Sequence, residues 1–271
     1  MDGSYANQRT ASILGVSLQN PFEPSFPHPE TSDKVFFIFD PCHMLKLVRN
    51  LFADFAQLLD GDGGEIRWFF LVELHRLQDQ EGLLIANKLR DSHIAWKKQV
   101  MKVRLAAQTL SRSVANALDF LRLVSLDQRF QGSAATSRFL KVVDGLFDRL
   151  NASSVSGCGT KSAWTAENID EIESDIKTAI NYLSTLKTIS GQPVLQSRRR
   201  TALIGFKCAA TGIVAIARRM LFRNQPFRFF LPYKCSQDHI EILFSLLRRR
   251  GGWNNNPNVL QVGLLFIISR C

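Results

Sequence analysis

The sequence predicts an α/β chain in which a few short strands give way to a long helical stretch, and three observations carry that prediction. Residues 35–39 form a continuous apolar run that stops at Asp40, with Pro41 next to turn the chain into a helix. Ile66, Trp68, Phe70 and Val72 alternate along 65–74, a strand pattern or the start of a helix. From about residue 76 the apolar positions fall at helical spacing.

Residues 1–31 are turn-rich, with prolines at 21, 24, 27 and 29. The strand 35–40 and the helix after Pro41 follow, and Gly61, Gly63 and Gly64 mark the next turn. The stretch 94–124 is helical by spacing. Ile169, Ile172, Ile176, Ile180 and Leu183 form an amphipathic stripe after Thr165, a candidate N-cap. Between them, ASSVSGCGTKSA at 152–163 is a small-residue loop, and 186–200 is a second connector. A last helix starts after the capping residue Ser236, and Ile240, Leu243, Phe244 and Leu247 share its expected buried face.

The chain has 271 residues, 45% of them hydrophobic, enough for a substantial core in one or two domains. A net charge of +10 favours an anionic partner, nucleic acid ahead of a membrane surface. The cysteines at 42, 158, 208, 235 and 271 form no C-x-x-C pair and no Cys/His ligand spacing, which points to a reducing compartment without structural zinc. The apolar run 202–217 is broken by Lys207 and is short for a membrane span, as is 262–269, so no membrane association is expected.

The block LPYKCSQDHIEILFSLLRRRGGWNNNPN at 231–258 sets Asp238 and Glu241 on one helix, ahead of Arg248, Arg249 and Arg250. Acids at the start and cations at the end of a helix also suit its dipole, so spacing alone leaves metal binding and dipole pairing both open. Three tracts together are more specific: FDPCHMLKLVRN, then IRWFF with GLLIANKL, then KCSQDHIEILFS with RGGWNNNP. In this order they resemble P-element-type DNA transposases, the group that includes THAP-domain transposases, over roughly residues 1–258.

That resemblance implies an RNase H-like catalytic domain interrupted by a large, mainly α-helical GTP-binding insertion. The implied division is 1–75 and 230–260 for the two parts of the RNase H-like domain, 76–229 for the insertion, and 261–271 for a divergent tail. It implies DNA cleavage and strand transfer with Mg²⁺ and GTP as cofactors, transposon-end DNA as substrate, homo-oligomeric assembly in intact relatives, and a nuclear location. The alternative is a catalytically inactive domesticated GTP- or DNA-binding module, or a non-functional remnant. Asp40 matches the second aspartate of the family's catalytic trio and Glu241 its glutamate, with Asp238 an acidic neighbour; all three are candidate metal ligands. The first aspartate of the trio is expected upstream of this sequence, and Asp2 is not assigned to it. The zinc-coordinating THAP domain of many relatives has no counterpart here.

For the nucleotide, FDRLN at 147–151 matches the family's guanine-binding segment. Asp148 would accept from guanine N1–H and the exocyclic amine, with Asn151 beside it and Phe147 a candidate stacking ring. Lys88, Lys102, Val103 and Ser111 fall where the family places phosphate and nucleoside contacts. GCGTKS at 157–162 lacks the Walker A order, and NKLRD at 87–91 is one residue too long for the guanine motif of G proteins. His43 and His239 lie inside the acidic blocks, where a histidine assists proton transfer or orients an acid.

Overall fold

The computed structural model describes residues 3–19, 21–82, 84–223, 226–250 and 258–259. Trp253, Asn254–Asn256 and the tail 261–271 lie outside the described residues. In chain order the elements are α1 (Tyr5–Ile13), β1 (Ser25–Pro27), β2 (Lys34–Phe36), α2 (Pro41–Phe55), β3 (Gln57–Leu59), β4 (Glu65–Arg67), α3 (Phe69–Glu81) and α4 (Asp91–Ile94). There follow α5 (Val103–Thr109), α6 (Arg112–Leu123), α7 (Ala134–Leu150), α8 (Ile169–Ser184), β5 (Lys187–Thr188), α9 (Thr201–Leu221) and α10 (Asp238–Arg250). The fold is mostly helical, with two small antiparallel sheets, β1-β2 and β4-β3-β5.

The expected strand at 35–40 is shorter than its apolar run. Only Lys34–Phe36 pairs, with Ser25 opposite Phe36 and Pro27 opposite Lys34. Beyond it Phe37 N donates to the Pro24 carbonyl, and the chain runs extended into α2. Asp40 therefore acts locally as an N-cap: Oδ1 accepts from Cys42 N (3.3 Å) and Oδ2 from His43 N (3.1 Å), with Pro41 at the first helical position. The alternation at 65–74 resolves into both of its readings, since β4 ends at Arg67 and α3 starts at Phe69. The stretch 94–124 breaks at Leu110–Ser111, where the Ser111 hydroxyl accepts from Val114 N and starts α6.

Helix α2 lies at the centre, with Met44, Leu45, Val48, Leu51 and Phe52 at 1% exposure or less. It packs on α9, and Gly205 allows the approach: a Cβ there would sit 1.9 Å from Met44 Sδ and 3.0 Å from Met44 Cγ. α9 is long and apolar enough to cross a membrane by length and composition, and most of its apolar window is buried in this core against α2 and α8. On the other side α6 packs along α7, where the Ser137 hydroxyl donates to the buried Ala115 carbonyl (3.1 Å). Leu58 of β3 pairs with both Ile66 and Thr188, which ties the small sheet to the core.

Two caps differ from their sequence reading. α8 begins four residues after Thr165, whose carbonyl, rather than its hydroxyl, accepts from Ile169 N (3.1 Å). Ser236 does accept from Asp238 N (3.4 Å) at the start of α10. The face expected to be buried on that helix is mostly open: Leu247 is covered, while Ile240, Leu243 and Phe244 are 53%, 43% and 47% exposed. Spacing marks an amphipathic face, and burial depends on a layer packed over it, which no described element supplies here.

Candidate nucleotide site

The last two turns of α7 place Asp144, Phe147, Asp148 and Asn151 at i, i+3, i+4 and i+7, so they share one helix face. That face forms one wall of a cavity of about 550 Å³, within the range of small-ligand sites. Lys88 comes from the segment before α4, Gln108 from α5, and Ser111 from the α5–α6 break. The fourth side is the loop after α7, with Ser153, Gly157, Cys158 and Lys161. Five of the seven residues named from sequence thus meet at one cavity: Lys88, Ser111, Phe147, Asp148 and Asn151. Lys102 and Val103 line an adjoining cavity of about 690 Å³, which shares Lys88 and Gln108 with the first.

The local chemistry is polar and already paired. Asp148 Oδ2 accepts from the Thr160 hydroxyl (3.1 Å), and its Oδ1 lies 3.7 Å from Lys161 Nζ. Asp144 stands beside it, with Arg112 3.8 Å away, and its carboxyl is raised above the usual range, first by burial and then by the charge of Asp148. Phe147 is only 9% exposed, so its ring is mostly committed to the core where it lines the cavity. Sequence reading missed Asp144, Gln108, Thr160 and Lys161. Asp144 was the findable one, four residues before Asp148 on the same face. The loop at 157–162, without Walker A order, nevertheless lines the cavity.

The second group of named residues lies at the start of α2. Cys42 Sγ donates weakly to Asn151 Oδ1 (3.9 Å), so α2 abuts the nucleotide wall. Its thiol is pushed up to about 12, first by burial and then by the charges of Asp40, Asp238 and Glu241, with Lys46 opposing them. The charges of all three acids named from sequence thus act on one buried thiol. Asp40 is buried and Glu241 exposed. His239 stacks edge-on against Tyr233, at 5.1 Å between ring centroids. Among the described residues, no group of three or more His, Cys, Asp or Glu side chains is placed to hold a metal ion. Both oxygens of Asp40 accept from backbone N–H groups, and the three acids are not gathered into a ligand set for Mg²⁺ in this arrangement.

The family model described as "TNP-like, GTP-binding insertion domain" matches residues 42–163, and "TNP-like, RNase H C-terminal domain" matches 233–261. The human protein "DNA transposase THAP9" is 30% identical over 251 residues, covering 92% of this chain and 28% of the relative. This chain belongs to the P-element-type transposase family. A second member, "Transposable element P transposase" of Drosophila melanogaster, is 27% identical over 267 residues, 96% of this chain and 33% of its own length. This chain thus spans about a third or less of the length of these curated relatives. Its fold matches the solved "Drosophila P element transposase strand transfer complex" with a TM-score of 0.76 at 24% identity, over 96% of this chain and 57% of that one. The family's GTP-binding insertion domain contains both walls of the main cavity, from Lys88 to Lys161.

Proposed function

We propose that this transposase-family chain binds GTP in the cavity under the C-terminal end of α7, with Asp148 reading the guanine edge. One observation carries the reading: five residues chosen for a nucleotide, from three separate stretches of sequence, line a single cavity. Asp148 is an acceptor-only group, suited to two adjacent donors on guanine and unsuited to the N1 acceptor of adenine. Thr160 and Lys161 hold its oxygens before the base arrives. Lys88 and Lys102 supply point charges toward the adjoining cavity, where the triphosphate would lie. Ser111 and Val103 flank that path.

The wider reading is of part of a DNA transposase. In it, 1–75 and 230–260 form an RNase H-like domain around the insertion 76–229, the substrate is transposon-end DNA in the nucleus, and the working protein is a homo-oligomer. Asp40, Asp238 and Glu241 are its acidic centre, a grouping that rests on the resemblance of FDPCHMLKLVRN and KCSQDHIEILFS to the family. Nucleotide recognition has the more direct support, since the residues named for it line one cavity.

Calorimetric titration of GTP and ATP into the purified chain tests the proposal. GTP is expected to bind and ATP to bind at least tenfold more weakly, about 1.4 kcal/mol of discrimination. Equal affinities, or no heat with either nucleotide from a cooperatively folded chain, would overturn it.

A further inference from the structure

The segment 88–104 carries six cations, Lys88, Arg90, Lys97, Lys98, Lys102 and Arg104, against one acid, Asp91. All six are exposed, and none makes an ion pair with a described residue. The acid is taken elsewhere, since Asp91 Oδ1 lies 2.7 Å from His75 Nε2. The neighbouring helices behave differently. On α6 and α7, Arg112, Arg122, Arg138, Lys141 and Arg149 each face a carboxylate. An uncompensated run beside fully paired helices is a strong local field, the electrostatic footprint of an anionic partner.

The segment is held in place. Arg49, itself fully buried, donates from Nη2 to the Gln99 carbonyl (2.8 Å), and Asn50 Nδ2 donates to the Val100 carbonyl (3.3 Å). Buried His93 ties the turn to α5 through Gln108 (3.1 Å) and accepts from Arg90 N (3.1 Å). Leu89 is fully buried and anchors the start. Buried polar anchors under an exposed cationic rim preorganise it, so less ordering entropy is lost on binding. Four of the cations line the second cavity, but Lys97 and Lys98, on the 3₁₀ turn Trp96–Gln99, line neither cavity. Their charge extends past the reach of one nucleotide.

We infer that the Lys88–Arg104 surface is a polynucleotide-backbone contact, which tracks the phosphates of a DNA strand next to the nucleotide cavity and is anchored by Arg49 and Asn50. The inference rests on the DNA part of the proposed function, not on its GTP part. Multiple unpaired lysines and arginines on a rigid turn suit a chain of regularly spaced phosphates, to which they contribute affinity without sequence preference.

The test is fluorescence anisotropy of a short random-sequence DNA duplex against the full chain over a series of salt concentrations. A Lys97→Gln/Lys98→Gln variant is expected to bind the duplex roughly tenfold more weakly, with a log–log salt slope shallower by about two. Its GTP titration is expected to match wild type, because neither lysine lines a cavity, and Lys97→Arg/Lys98→Arg is expected to restore duplex binding. Unchanged duplex affinity and slope in the Gln variant, while wild type binds DNA, would overturn the surface and leave the DNA reading standing. Absence of duplex binding by wild type would overturn both. Failure of the arginine pair to restore binding would also contradict a phosphate-backbone contact.

Discussion

Helices α7 and α10 each carry two acids on one face, Asp144 with Asp148 and Asp238 with Glu241; the first pair lines a walled cavity, while the second sits on a helix whose apolar face is mostly open. Behind the α7 pair, Phe139, Leu140 and Val143 are fully buried against α6 and α2. On α10, Leu243 and Phe244 are over 40% exposed. The same local motif acquires different chemical capacity from what packs around its helix. A fixed backbone lets a carboxylate be presented at a set distance and partly desolvated. A helix whose apolar face is open offers its acids at less constrained positions.

Stability offers the largest test of that contrast. Leu140→Ala is expected to cost about 2–5 kcal/mol, since it opens a cavity in the core behind the nucleotide wall. Leu243→Ala on α10 is expected to cost about 0.5 kcal/mol or less. Urea denaturation of both variants measures this directly. Comparable losses would mean that the α10 face is covered in solution, and the contrast would break.

A smaller effect is pH-linked and belongs to the α4–α5 junction. Burial holds His93 below the ordinary histidine value of 6.5, against the raising influence of Gln108. The folded state therefore favours the neutral ring. Its contribution is fully present above 6.5 and is lost as pH falls toward the lower folded value. Thermal melting across this range should show an acid-side loss of Tm that His93→Gln reduces; an identical acid limb in the variant would contradict it.

The smallest effect sharpens the comparison at the site itself. Asp144 has its carboxyl raised by burial and by Asp148, so the folded state binds that proton more tightly than the unfolded chain. Ionisation then works against folding as pH rises through and above the ordinary value of 3.8. Asp144→Asn is expected to be neutral to slightly stabilising at neutral pH, by about 0.5 kcal/mol, measured by chemical denaturation. A clear loss would mean that Arg112 outweighs the burial cost.

The nucleotide wall was readable because FDRLN at 147–151 resembles the family's guanine-binding segment. Helical spacing from Asp148 then reaches back to Asp144 on the same face. The opposite wall was less so, because Lys88, Gln108 and Ser111 reach the cavity through the break at Leu110–Ser111 and the packing of α6 on α7. Periodicity does not encode that docking. Likewise 35–40 read as a strand from apolarity, whereas strand pairing stops at Phe36 because pairing requires a neighbour. On α10 the spacing identified a face, and nothing local could say whether it was covered.

Whether Asp148 reads guanine is measured by titrating GTP and xanthosine triphosphate into wild type and Asp148→Asn. Xanthine places a carbonyl where guanine has its exocyclic amine, so an amide that donates should prefer it. The variant is expected to lose GTP affinity by roughly tenfold or more, the cost of a charge-assisted hydrogen bond, and to gain affinity for the xanthine nucleotide. Unchanged GTP affinity in a folded Asp148→Asn variant would contradict it.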